Sequence, residues 1–278
     1  MPLVTVILTT HNRYKTFLKS YESIIEQTYK NLEIIIVDDF STTEDYLNLS
    51  KDFFDERTTY IRHPFNQGLA KARNTGIKKS NGQFIGFCDD DDLWIHNKIE
   101  LQLASYYSSP AHVGVITSST KVVVDNKSFI RRSFINGWFY RKMIGAKQPL
   151  GNGSTLLFTR KCIESIGYFD EKFKRGVDGE YLYRVSLKYK VKSVDLPLVI
   201  YNFDSDIKRI TNNKSSDAIK RDIISLINRL RSDRVINGKI NLSVFRLYLK
   251  IIKRLMKLKK YKLIKILVLG KQDKLYII

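Results

Sequence analysis

The first ninety residues alternate short apolar runs with amphipathic stretches. Val4-Thr5-Val6-Ile7-Leu8 is a β-branched run, and from Tyr14 to Gln27 the apolar residues Phe17, Leu18, Tyr21, Ile24 and Ile25 fall at helical spacing. The unit then recurs. Leu32 to Val37 reads as a continuous apolar strand, Thr43 to Phe54 as a helix, Thr59 to Arg62 as a strand, Ala70 to Lys79 as a helix and Phe84 to Cys88 as a fourth strand. Strands that are apolar throughout and alternate with helices predict an α/β fold whose central sheet is mostly parallel and covered by helices on both faces.

Each of these strands ends in a polar cluster: Thr9 to Arg13, Asp38 to Ser41, and Asp89-Asp90-Asp91-Asp92. Parallel sheets bind ligands beyond the carboxyl ends of their strands, so the three clusters are expected to converge on one crevice. Four adjacent carboxylates repel one another and are costly to bury without a cation. Oxygen donors suit Mg²⁺ or Mn²⁺, which use one or two carboxylates and complete their shells with water or phosphate. The pleat puts Asp89 and Asp91 on one face and Asp90 on the other. A solvated acidic turn, with Asp91 or Asp92 capping a helix that starts near Leu93-Trp94, satisfies the same residues. In Gln67 to Gly76, Arg73 could grip a diphosphate bidentately, or simply lie on a wet helix face.

Composition narrows the class. The chain has 278 residues, 43% of them hydrophobic, with 5 Pro and 14 Gly, which is the make-up of a folded protein rather than a disordered or repetitive one. It contains no run of about 18 apolar residues and no basic leader with a cleavage site, so neither a membrane span nor a secretory signal is expected. Cys88 and Cys162 form neither a disulfide framework nor a metal-binding spacing, which suits a reducing, intracellular compartment.

The net charge of +20 is unevenly spread. Residues 213–278 hold 18 basic and 4 acidic side chains, against 30 and 24 in residues 1–212. Two parts are expected, joined by the polar stretch Thr211 to Ser216. From 241 to 278, Val244, Tyr248, Ile251, Leu255 and Leu258 keep helical spacing among lysines and arginines. Such a basic amphipathic helix suits an anionic membrane surface, and packing on the catalytic domain or binding nucleic acid would use the same residues.

Four segments, in order and in register, carry a family resemblance: Val4 to Arg13, Val37 to Ser41, Asn66 to Asn74 and Phe87 to Trp94. Over roughly residues 3 to 210 the chain resembles the family 2 glycosyltransferases, which are nucleotide-sugar-dependent enzymes with the Rossmann-like GT-A fold. The resemblance implies a catalytic domain over 1–212, with a nucleotide-sugar half (1–110) and an acceptor half (111–212), followed by the basic helical extension. Thr9, His11 and Asp39 match positions that hold the uracil and ribose of a UDP-sugar, and Arg13 and Arg73 match nearby basic contacts. Asp89 and Asp91 match the ends of the DxD motif, with Asp91 the direct metal contact and Asp90 a ribose or sugar contact. His11 replaces a frequent tyrosine, which leaves the nucleotide open.

Gly151 to Phe158 and Ile166 to Glu171 resemble the family's acceptor-side segments, and Gly176 to Val185 resembles its Glu-Asp motif. The register makes Asp178 the general base. Val177 replaces the first acid of the pair, which leaves Glu180 as the second candidate, and a helix N-cap at Asp178 accounts for the same letters. The implied reaction is inverting transfer of a hexose by in-line displacement, assisted by Mn²⁺ or Mg²⁺, onto a lipid-linked or cell-surface glycan such as lipopolysaccharide or capsule. The implied location is the cytoplasmic face of a bacterial membrane, with no nucleic-acid partner. Two other classes compete: a basic nucleic-acid-binding protein, which leaves the acidic clusters idle, and a nucleotidyltransferase, which calls for a glycine-rich loop where Thr9 to Arg13 has no glycine.

Overall fold

A computed structural model describes residues 1–202 apart from 110, 125–126, 141–142, 144–149 and 174–175. The expected linker and basic helix at 211–278, and with them the boundary at 212, lie outside the described residues.

The chain begins β1 (Val4–Thr10), α1 (Tyr14–Ile25), β2 (Leu32–Asp38), α2 (Glu44–Leu47), β3 (Thr58–Arg62), α3 (Leu69–Lys79) and β4 (Phe84–Asp89). It continues with β5 (Asp92–Trp94), α4 (Lys98–Tyr107), β6 (Val113–Val124), β7 (Lys127–Arg131), β8 (Leu157–Thr159), α5 (Arg160–Ile166), α6 (Val177–Ser186) and β9 (Lys190–Asn202). All the strands join one sheet in the order β3-β2-β1-β4-β8-β6-β9-β5, with β7 beside β6.

The parallel part is the run β3-β2-β1-β4. Beyond it the sheet is mixed: β8 is antiparallel to both β4 and β6, β9 is parallel to β6, and β5 is antiparallel to β9. The order reverses at β1, since β2 and β3 lie to one side and β4 to the other. A crevice opens at such a switch point. The register fixes what lines it, because Thr9 pairs with Val37 on one side and Asp89 on the other.

The strands are apolar because both faces are covered. Val4, Val6 and Leu8 of β1 and Ile34 and Ile36 of β2 are buried with Phe17, Tyr21 and Ile24 of α1 in one core cluster. Each such side chain contributes about 1.5–3 kcal/mol of burial. This anchoring holds the polar strand ends at fixed positions.

Two local expectations fail. The helix expected over Thr43 to Phe54 breaks after Leu47 into a short 3₁₀ turn at Lys51–Phe53. Asn48 and Ser50, which favour turns over helix interiors, lie at the break. No helix starts at Leu93-Trp94. Asp92–Trp94 instead pairs with β9, because an edge formed more than a hundred residues later overrides the local preference.

Candidate active site

Two arginines organise the strand ends. Arg73, on α3, is fully buried. Its Nη2 donates to Asp89 Oδ1 at 2.9 Å and its Nη1 to Asp178 Oδ1, so one guanidinium ties the end of β4 to the start of α6. Phe87 and Phe169 lie against it at 5.3 and 5.5 Å. Burial works against its charge, but Asp178 and Asp89 outweigh that and raise its pKa. The second arginine, Arg13, closes the loop after β1. Its Nη1 reaches Asp90 Oδ1 at 2.9 Å and Asp91 Oδ2 at 3.2 Å.

The four aspartates do not lie on one pleated strand: β4 ends at Asp89, a turn follows at Asp90 and Asp91, and β5 begins at Asp92. Asp90 and Asp92 are buried, whereas Asp89 and Asp91 are partly exposed. Asp90 Oδ2 accepts from Thr10 Oγ1 at 2.9 Å and from the His11 amide at 3.2 Å, so with Arg13 it holds the β1 loop. Burial pushes its carboxyl up to about 7, against the pull of Arg13. Asp92 accepts from Ser154 Oγ at 2.6 Å and from Asn152 Nδ2. Asp89 is raised first by burial, opposed by Arg73, and raised again by the nearby charges of Asp178 and Asp91.

Asp178 is the second residue of α6, whose N-cap is Gly176 in the left-handed region (φ 66°). The alternative reading of Asp178 as the N-cap is therefore not what the helix shows, and its side chain turns to Arg73 and the Gly153 amide. Asp178 Oδ2 accepts from the Gly153 amide at 3.2 Å, while Oδ1 takes Arg73. Gly153 is where backbone and guanidinium meet: a Cβ there would lie 2.4 Å from Arg73 Nη2. Glu180 goes elsewhere. Two positions on, it is rotated about 200° around the helix, and it pairs with Arg184 at 2.6 Å.

The other expected residues are less open than their motifs suggest. Asp39 is buried and accepts from His63 Nδ1 at 2.8 Å, the Gln67 amide at 2.8 Å and the Gly68 amide at 2.7 Å, so its carboxylate organises the loop into α3. Thr9 is buried between β2 and β4, and His11 is exposed at the crevice rim. Arg73 presents no open fork to a diphosphate and lies on no wet face, because two carboxylates and two aromatic rings enclose it. Sequence reasoning missed His63, which bonds Asp39 and Thr75, and, although it singled out Gly151 to Phe158, it did not foresee that Asn152 and Ser154 bind Asp92. His63 directly follows β3, so the strand-end rule that selected the other clusters could have found it.

Among the described residues, no three His, Cys, Asp or Glu side chains are gathered closely enough to hold a metal ion by themselves. The donor set nevertheless fits Mg²⁺ or Mn²⁺. Asp89, Asp91 and Asp178 lie close enough for their charges to interact, and such ions use one or two carboxylates and fill the remaining positions with water and phosphate.

A parallel half-sheet with a carboxylate-lined switch point, extended by a mixed half that brings in a further acid, defines a GT-A-type domain. The chain belongs to glycosyl transferase family 2, whose family model matches residues 5–167. Asp178 lies beyond that match. Among sequence relatives, the chain is 37% identical over 102 residues to the Escherichia coli UDP-Glc:α-D-GlcNAc-diphosphoundecaprenol β-1,3-glucosyltransferase WfgD, covering 37% of this chain and 40% of WfgD. Across four such relatives, the chain spans only 14% to 41% of the relative's length. The crystal structure of Staphylococcus aureus TarS superposes with a TM-score of 0.66 at 16% identity, covering 99% of this chain and 56% of TarS. The mannosyltransferase PcManGT of Pyrobaculum calidifontis, solved with GDP-Man and Mn²⁺, superposes with a TM-score of 0.61 at 19% identity, covering 88% of this chain and 68% of that one. These two likenesses concern the fold.

Proposed function

We propose that the protein transfers a hexose, with inversion, from a nucleotide-sugar to a hydroxyl of a lipid-linked glycan precursor, UDP being the favoured nucleotide. The carrying observation is the pairing of Asp89 and Asp178 through one buried arginine at the switch point of the sheet. The pairing supports a reading in which Asp89 serves the donor and Asp178 the acceptor of a single in-line displacement. WfgD, by its name, moves glucose from UDP-Glc to a lipid-diphosphate-linked GlcNAc, which supports a donor and acceptor of the same classes here. That acceptor class also accords with work at a membrane surface, although no helix among the described residues is long and apolar enough to cross one.

In this reading Asp178 takes the proton from the acceptor hydroxyl. Arg73 and the Gly153 amide aim its carboxylate, and each oxygen keeps a second lone pair for the incoming proton. Thr9, His11 and Asp39 border the base and ribose, and Arg13 holds Asp90 and Asp91 in place along the donor side. Asp91, with Asp89, would hold Mn²⁺ or Mg²⁺, which when bound supplies charge stabilisation for the departing nucleoside diphosphate. PcManGT, solved with Mn²⁺, supports that choice.

The test is a screen of nucleotide sugars for Mn²⁺-dependent release of the nucleoside diphosphate, followed by transfer to a lipid-linked acceptor. Asp178→Asn is expected to lose turnover while still binding nucleotide, and Asp91→Ala to lose metal-dependent transfer. Full activity in either variant refutes the assignment.

A further inference from the structure

The segment 132–138 runs antiparallel along the outer edge of β9. Gly137 and Val191 exchange both backbone hydrogen bonds at 2.8 and 3.0 Å, and two residues away Ser193 Oγ binds both the amide and the carbonyl of Ile135. This register sorts the side chains in alternation. Ser133, Ile135 and Phe139 are buried, whereas Arg132, Phe134, Asn136 and Trp138 face out.

The outward row is unusual for a polar surface. Phe134 is 61% exposed, Trp138 60% and Leu196, in the bulge of β9, 48%. Basic side chains stand among them. Lys190 lies opposite Trp138 with its Nζ 5.7 Å from the ring, Lys192 lies opposite Asn136, and Arg132 pairs with Asp195 at 3.2 Å. Three cations against one acid, interleaved with three large apolar side chains, make a strip that is both basic and greasy.

We propose that this strip is a membrane-contact surface of the folded domain, seating Trp138 and Phe134 at the headgroup level of an anionic bilayer while Lys190, Lys192 and Arg132 meet lipid phosphates. Aromatic rings favour that interface, and basic side chains near an anionic surface add attraction. A lipid surface buries the apolar side chains and neutralises the cations together, whereas a nucleic acid would leave Leu196 in water. The strip shares no residue with the basic segment 241–278. The inference stands on the surface alone, so vesicle binding and sugar transfer succeed or fail separately.

The chain contains only two tryptophans, and Trp94 is buried away from lipid, so a change in tryptophan emission on vesicle binding reports on Trp138. The full-length protein is titrated with phosphatidylcholine vesicles with and without phosphatidylglycerol, and then with vesicles carrying brominated acyl chains. The expected result is a blue shift and bromine quenching that require the anionic lipid and vanish in Trp138→Phe. Lys190→Gln and Lys192→Gln should each weaken partitioning about fivefold. Three results overturn the proposal: no vesicle binding; sedimentation with vesicles but no quenching, which puts the contact elsewhere in the chain; and an equal shift on single-stranded RNA without lipid, which makes the strip a nucleic-acid surface. A blue shift that grows with protein concentration in the absence of vesicles overturns it in favour of self-association.

Discussion

Replacing Arg73 by methionine removes the cation that, among the described residues, Asp89 and Asp178 share, and keeps most of the apolar stem. The arginine is fully buried, while its partners retain 26% and 19% side-chain exposure. Removing one partner of a buried ion pair typically costs about 3–5 kcal/mol, because the other charge is left uncompensated. The partial exposure of both carboxylates places the expected loss near the lower end, about 3 kcal/mol at pH 8. The sign with pH follows from the carboxylates. Asp89 is already raised by burial, with Arg73 the chief opposing influence, so in the variant its folded-state pKa rises further above the unfolded value. A folded acid with a raised pKa binds more protons than the unfolded chain. The destabilisation is therefore complete above the folded pKa and fades as pH falls towards the unfolded value near about 4. Urea unfolding of wild type and Arg73→Met at pH 8 and pH 5 measures both quantities. A loss under about 1 kcal/mol at pH 8, or an equal loss at the two pH values, would refute the argument that Arg73 neutralises this pair.

Two further substitutions probe the surroundings. Gly153→Ala places a Cβ 2.4 Å from Arg73 Nη2 and 3.2 Å from Asp178 Oδ1, so a guanidinium pinned by two carboxylates must move. A loss of about 1–3 kcal/mol in thermal unfolding, with reduced transfer, is expected, and a variant as stable and active as wild type would show that the contact is slack. Lys98 is buried with its Nζ 2.8 Å from Gln102 Oε1 and 3.7 Å from the Trp94 ring, and burial pushes its pKa down to about 7. Because the folded chain binds fewer protons than the unfolded one between about pH 7 and 10.4, stability rises with pH across that window and the full penalty applies below it. Lys98→Met should therefore gain about 2 kcal/mol at pH 6 and flatten that rise, as urea midpoints at pH 6, 8 and 10 would show. A methionine variant less stable than wild type at pH 6 would overturn this.

The sequence by itself determined the parallel half of the sheet and where its chemistry would gather. Apolar strands, amphipathic helices and polar strand ends are local patterns, and β1, β2, β3 and β4 form where those patterns lie. The pleat expected through the four aspartates is replaced by a turn at Asp90-Asp91, where contacts from the β1 loop bury Asp90. Only the tertiary structure decided which groups meet. Arg73 pairs with Asp178, 105 residues away, and Asp39 is engaged by the loop at 63–68. Glu180 turns from the site because it lies about 200° around α6 from Asp178, where it pairs with Arg184. The mixed order of β8, β6, β9 and β5 was also hidden, since strands this short or this long read alike whichever direction their neighbours run. Periodicity records which face of an element is apolar. It carries no record of the distant partner that a buried charge requires, and that need is met only when the chain closes on itself.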